Sequence, residues 1–137
     1  GGMFVTAILG HYNTITDEIS WVNGGHQPAL LRDKNGKFEQ VESAAPPMGV
    51  IQQKNKSLYK INRTKLNGKR FYAFTDGLSE SLDSKGNEIG IEGSIKIIEK
   101  NFNDDVSKQL SNIAKDVEKS SGKNKLSDDL TLIAIGK

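Results

Sequence analysis

The apolar residues of this chain change their spacing near residue 90, and that change limits the folds open to it. Before it, short β-branched and apolar runs recur between clusters of Gly, Pro, Asn and Asp, the pattern of strands joined by turns. After it, Ile91, Ile95, Ile98 and Phe102 fall at i, i+4, i+7 and i+11, and Val106, Leu110, Ile113 and Val117 repeat that spacing. A helix with one apolar stripe needs a surface to cover, and the preceding strands supply a sheet, so the chain reads as a layered α+β domain. At 137 residues there is room for one core.

The strand half can be read element by element. Met3 to Leu9 is almost continuously apolar, which predicts a strand buried on both faces. Asn13 to Asp17 supplies turn residues before Glu18–Asn23, predicting a hairpin. Ala29–Arg32 and Phe38–Val41 flank Asp33-Lys34-Asn35-Gly36, a second hairpin in which Gly36 takes a positive φ. Pro46 and Pro47 break the pattern, and Ser57–Ile61 pairs with Arg70–Phe74 across Leu66-Asn67-Gly68-Lys69, completing an antiparallel meander. In the second half Asn103 or Asp104 caps the second helix, and Lys115 to Lys125 is polar enough to be a loop. Lys123 and Lys125 read as solvated surface lysines before phosphate contacts. Leu130–Ile135 is the closing strand.

Composition removes whole classes of chemistry. With no Cys there is no disulfide, no thiolate zinc site, no iron–sulfur cluster and no cysteine nucleophile of the C-x5-R phosphatase kind. His11 and His26 are the only imidazoles, too few for a three-histidine zinc centre. Nineteen basic residues against 17 acidic give +2, so charge makes no case for nucleic acid. No apolar run approaches the ~18 residues of a membrane span and no basic signal region stands at the front, so the expected setting is cytoplasmic and away from membranes. Hydrolysis here would rest on carboxylates, hydroxyls or a hard metal.

Carboxylates stand at two strand ends. Phe71 to Phe74 runs into Thr75-Asp76-Gly77, and Ser127-Asp128-Asp129 leads into Leu130-Thr131-Leu132-Ile133. If the two strands are neighbours the carboxylates converge. At about 4 Å and an effective dielectric near 20 such a pair repels by about 4 kcal/mol, which a hard divalent cation or a bound proton offsets. Both segments are also ordinary turn and strand-entry sequences, and spacing alone leaves that choice open. No P-loop, G-x-S-x-G or H-E-x-x-H motif is present.

Read in order, Met3-Phe4-Val5-Thr6-Ala7, Trp21-Val22-Asn23-Gly24-Gly25-His26-Gln27-Pro28-Ala29, Pro47-Met48-Gly49-Val50, Phe74-Thr75-Asp76-Gly77-Leu78-Ser79-Glu80, Gly90 and Asp128-Asp129-Leu130-Thr131-Leu132 span the whole chain. This series resembles the bacterial PPM-type (protein phosphatase 2C-like) serine/threonine phosphatases. It is most similar to the branch of stage II sporulation protein E and the sigma-factor-regulating phosphatases.

The resemblance implies an α-β-β-α sandwich of two antiparallel sheets holding Mn²⁺ or Mg²⁺, with metal-activated water attacking a phosphoserine or phosphothreonine of a protein. It makes Asp76 and Asp128 metal ligands, with Asp129 ranked behind them because the broader family often carries Asn there, and gives Gly77 the role of letting the loop pass close to the metal. His26 is weighed as a general acid and preferred as a turn residue bonded to backbone with Asn23 and Pro28; Trp21 is read as core. One departure stands out. The family's bridging Asp, in a D-x-x-G-H-G-like segment ahead of the Phe-Val-Thr-Ala strand, has no counterpart. Residues 1–137 are therefore expected to be one phosphatase domain lacking its N-terminal portion, with weak metal binding and little or no activity of its own. The implied partner is a phosphorylated regulatory protein such as an anti-sigma-factor antagonist, with a sensor or receiver domain upstream in the parent chain. The alternative is a non-catalytic pseudophosphatase docking module of the same fold. Sheet surface along Met3 to Leu9 would favour self-association.

Overall fold

The computed structural model describes residues 2–51, 58–121 and 129–136. Two antiparallel sheets stack face to face. The first has three strands in the order β1 (Ala7–Asn13), β2 (Glu18–Gly24), β5 (Asn62–Lys65). The second has four, ordered β4 (Phe38–Val41), β3 (Ala29–Arg32), β6 (Arg70–Phe74), β7 (Leu132–Ile135). A one-turn helix α1 (Asp76–Ser79) follows β6, then come α2 (Gly90–Lys100) and α3 (Val106–Ser121).

The core lies in two layers. Between the sheets, Ile19 and Trp21 of β2 meet Ala29, Leu31 and Phe71 of β3 and β6, with the Trp21 and Phe71 rings edge-to-face at 5.1 Å. On the other face of the four-stranded sheet, Leu30, Tyr72 and Phe74 meet Leu78 of α1, Ile98 of α2 and Ile113 and Val117 of α3. Each fully buried aliphatic side chain here contributes roughly 1.5 to 3 kcal/mol. The layered α+β architecture and both helical stripes are as the spacing predicted, and the two stacked antiparallel sheets are as the resemblance implied. All three described helices lie on the four-stranded sheet.

A polar cluster is built into the helical layer. Arg70, 2% exposed, donates from Nη1 to Gln109 Oε1 (2.7 Å) and the Asn103 carbonyl (2.6 Å), and from Nη2 to the Asp104 carbonyl (3.0 Å). Gln109, fully buried, also accepts the Tyr72 hydroxyl and donates to the Ile98 carbonyl. These bonds fasten the α2–α3 connection to β6. Beside them Arg32 forks onto Glu99 (2.6 and 2.9 Å) and stacks on Phe102 at 3.5 Å. A bidentate pair of this geometry orders both side chains.

Several expectations need correction. Met3 to Leu9 is not a buried strand: Met3 is 93% exposed and Leu9 79%, and β1 begins at Ala7. Within β1 strand alternation turns Ile8 and Tyr12 toward the inter-sheet core and leaves Leu9 outside, while Met3 to Thr6 precede the strand and are exposed at every position. The Ser57–Ile61 strand does not form among the described residues; β5 starts at Asn62 and pairs with β2, Ile19 opposite Thr64. The turn at Asn67 (φ 48°) and Gly68 (φ 81°) is present, but it carries the chain from one sheet to the other instead of closing a hairpin. Asp17 holds it in place, accepting from the Leu66 and Asn67 amides. Asp105, not Asn103 or Asp104, caps α3 by accepting from the Lys108 amide at 3.2 Å, while Asn103 accepts from the Asp105 amide. Helix α3 runs on to Ser121, so residues 115–121 are not loop; Lys123 and Lys125 lie outside the described residues. Among the described residues no helix is long and apolar enough to cross a membrane.

Candidate functional site

Strands β6 and β7 are neighbours, Phe74 opposite Leu132, so the two acidic segments meet at one sheet end. Past the paired strands the contact continues. The Thr75 amide donates to the Thr131 carbonyl (3.0 Å), the Thr131 amide donates to Thr75 Oγ1 (2.9 Å), and Thr75 Oγ1 donates to the Asp129 carbonyl (3.1 Å). Thr75 stays extended (φ −74°, ψ 163°) and the chain then turns into α1 at Asp76. Leu78, fully buried, anchors that turn in the helical core, and the Glu80 amide closes it on the Asp76 carbonyl at 2.7 Å.

Gly77 is where the two segments come closest. A Cβ there would lie 2.5 Å from the Asp129 carbonyl oxygen and 3.2 Å from the Leu130 Cα, so no larger residue fits without parting the backbones. The resemblance implies that Gly77 lets the loop pass close to a metal; in the structure Gly77 passes close to the backbone of the second acidic segment. Asp76 stands exposed at the rim of this junction. Asp129, its counterpart across the junction, is described, and Asp128, the other predicted ligand, lies outside the described residues.

The Asn23–Pro28 loop packs against the same junction. Asn23, 3% exposed, donates to the Gln27 carbonyl (3.1 Å) and accepts the His26 amide (2.9 Å), fixing the loop from inside. His26 Nδ1 sits 3.2 Å from the Gln27 carbonyl, the backbone-bound turn role expected for it. Gly25 (φ 69°) donates to Ser43 Oγ and passes so close to Pro47 that a Cβ would stand 2.4 Å from its nitrogen. Gln27 reaches across the sheets: its Nε2 donates to the Phe74 carbonyl and its Oε1 accepts from the Ser79 hydroxyl at 3.0 Å. A shallow cleft of about 110 Å³ opens between His26, Ile8, Thr75 and Thr131. That is room for a few waters and not for a peptide.

Gln27 and Ser79 were not singled out from the sequence. Their partners lie 47 and 52 residues away, and nothing local announces them. Two other loop carboxylates are already engaged. Asp33 accepts from the Asn35 and Lys37 amides and Asp83 from the Lys85 and Asn87 amides. Backbone N–H groups, those of Lys37 and Asn87 foremost, hold both carboxyls below the ordinary Asp range.

The donors at the junction are carboxylate, carbonyl and hydroxyl oxygens, the set a hard cation takes, with water completing the shell. They fit one such ion in kind. Among the described residues no three His, Asp or Glu side chains gather at one point.

Known proteins share this architecture. The fold superposes on the SiaA-PP2C domain of Pseudomonas aeruginosa with a TM-score of 0.77 at 14% identity, over 94% of this chain and 50% of that one. It also superposes on the phosphatase domain of SpoIIE from Bacillus subtilis with a TM-score of 0.66 at 15% identity, over 95% and 55%. The fold is therefore that of the PP2C-type phosphatase domains. Residues 1–137 match the family model of Stage II sporulation protein E (SpoIIE), and the chain belongs to that family. Protein IcfG of Synechocystis sp. is 23% identical over 101 residues, 73% of this chain and 16% of that protein. The chain thus spans about half the length of the solved phosphatase domains it matches.

Proposed function

We infer that this chain is the C-terminal part of a metal-dependent phosphatase domain whose parent protein hydrolyses phosphoserine or phosphothreonine on a regulatory protein, an anti-sigma-factor antagonist being the class expected. The observation that supports this most is the junction itself: β6 and β7 bring Thr75-Asp76-Gly77 against the Asp129 backbone, at a spacing that only Gly77 permits. Asp76 and Asp128 are the residues assigned to hold Mn²⁺ or Mg²⁺. The phosphatase domain of SpoIIE from Bacillus subtilis was soaked with Mn, and RsbX was crystallised with magnesium. A cation bound there would supply an activated water and neutralise charge on the phosphoryl oxygens.

The chain's own residues do the positioning. The Thr75–Thr131 bonds fix the strand ends, Leu78 anchors the turn behind Asp76, and the exposed rim leaves Asp76 accessible to a protein-borne phosphate. With one ligand of the assigned pair on each segment and no bridging Asp, the 137-residue chain alone is expected to bind metal weakly and to turn over little or nothing. Mn²⁺-dependent release of phosphate from a phosphoserine peptide tests both statements. The parent chain hydrolyses it and loses the activity in Asp76→Asn, while the isolated chain does not hydrolyse it. Full activity of the isolated chain would overturn the fragment reading, and an Asp76→Asn parent as active as wild type would overturn the metal assignment.

A further inference from the structure

We propose that Gln27 is the positioning residue for the Asp76 turn, acting through the backbone on both sides of that carboxylate. The proposal rests on the assignment of Asp76 to a metal. Its first support is geometric. The Gln27 amide uses both ends, Nε2 donating to the Phe74 carbonyl two residues before Asp76 and Oε1 accepting from the Ser79 hydroxyl three residues after it. A carbonyl can only accept, so the amide orientation is fixed by its partners. Ser79 Oγ also lies 3.2 Å from the Asp76 carbonyl, so the same hydroxyl stands beside the ligand's own peptide.

The second support is how firmly Gln27 is itself held. Its carbonyl accepts from the nearly buried Asn23, and two residues earlier Gly25 is locked against Pro47 and bonded to Ser43 Oγ. The loop bridges β2 of one sheet and β3 of the other, so it is tied to both halves of the sandwich. Helix α1 is one turn long and Asp76 is exposed, and among the described residues Gln27 is the side chain that bonds on both sides of it, at Phe74 and at Ser79. Groups that orient metal ligands typically change metal affinity by about 10- to 100-fold when removed.

Gln27→Glu keeps the shape and removes the donor, setting a carboxylate against the Phe74 carbonyl; Ser79→Ala removes the other half of the contact and serves if the first variant does not fold. Two readouts are taken on the 137-residue chain by NMR. Amide exchange at Leu78 and Glu80, whose N–H groups close the turn on Thr75 and Asp76, reports the turn without any metal. Titration with Mn²⁺ alone reports affinity. The expected result is exchange at least about tenfold faster at those two amides, unchanged exchange at Leu30 and Tyr72 in the sheet, and Mn²⁺ binding weakened about 10- to 100-fold. Unchanged exchange at Leu78 and Glu80 in a folded variant would overturn the positioning role. Faster exchange with Mn²⁺ affinity unmoved in both Gln27→Glu and Asp76→Asn would leave Gln27 holding the turn and overturn the metal assignment instead.

Discussion

Replacing Gly77 with Ala separates two opposing effects whose sizes can be worked from the structure. Gly77 lies in α1 with no positive φ, so Ala should favour the helix there by about 0.5 to 1 kcal/mol. Against that, the new Cβ meets the Asp129 carbonyl oxygen at 2.5 Å and its carbon at 2.9 Å, both backbone atoms that cannot swing away. Restoring an ordinary contact of 3.4 Å means parting the segments by 0.9 Å, the difference between 3.4 and 2.5 Å. Such a shift strains the Thr75–Thr131 and Thr75–Asp129 hydrogen bonds, each worth about 1 kcal/mol, on top of about 1 to 3 kcal/mol for overpacking. The net expectation is destabilisation by about 1 to 3 kcal/mol, read from urea unfolding, with the Thr131 amide resonance displaced. Gly68→Ala is the comparison: it meets nothing within 4 Å and sits at φ 81°, so it should cost about 1 to 2 kcal/mol through backbone strain alone, leaving Thr131 unmoved. A Gly77→Ala chain at least as stable as wild type would refute the close approach, because propensity alone would then be acting.

Other substitutions probe the supports of the site. Arg70→Met strands the Asn103 and Asp104 carbonyls and Gln109, and should cost about 2 to 4 kcal/mol in urea unfolding; Arg70→Lys should recover little, lacking the fork. Asp105→Ala removes the α3 cap and should cost about 1 kcal/mol, seen as faster amide exchange at Lys108. The Lys100 ammonium and then the Asn101 amide hold the Asp116 carboxyl below its ordinary value of 3.8. A depressed carboxylate contributes stability above its unfolded value, and that contribution disappears as pH falls from near 3.8 through the folded value. Carboxyl NMR should therefore show Asp116 titrating low, and Lys100→Met should return it upward; an unmoved titration would remove the Lys100 ion pair from the description.

Local features of the sequence carried most of the elements. The Asp33–Gly36 turn and its flanking strands fall at the expected residues because turn chemistry and strand period are short-range, and the two helical stripes survive for the same reason. Partner choice is not short-range. Asn67-Gly68 makes a tight turn wherever it stands, but whether β5 then pairs with β6 or crosses to β2 is decided by the Asp17 anchor and by burial of Ile19 and Trp21. Exposure of Met3 to Val5 depends on what lies over them, which an apolar run does not encode. That the two acidic segments would meet if their strands were neighbours was legible, because each ends or begins an apolar strand, but the β6–β7 pairing itself was not; nor was the hold of Gln27, since a lone Gln in a turn sequence carries no sign of a contact 47 residues away.

Paramagnetic broadening by Mn²⁺ bears most directly on the assignment of this junction to a metal. Titrated into the 137-residue chain, Mn²⁺ should broaden the amides of residues 75–78 and 128–131 together, ahead of all others, and Asp76→Asn should abolish that pattern while leaving the fold intact. Broadening scattered over surface carboxylates, or centred elsewhere and indifferent to Asp76→Asn, would contradict it.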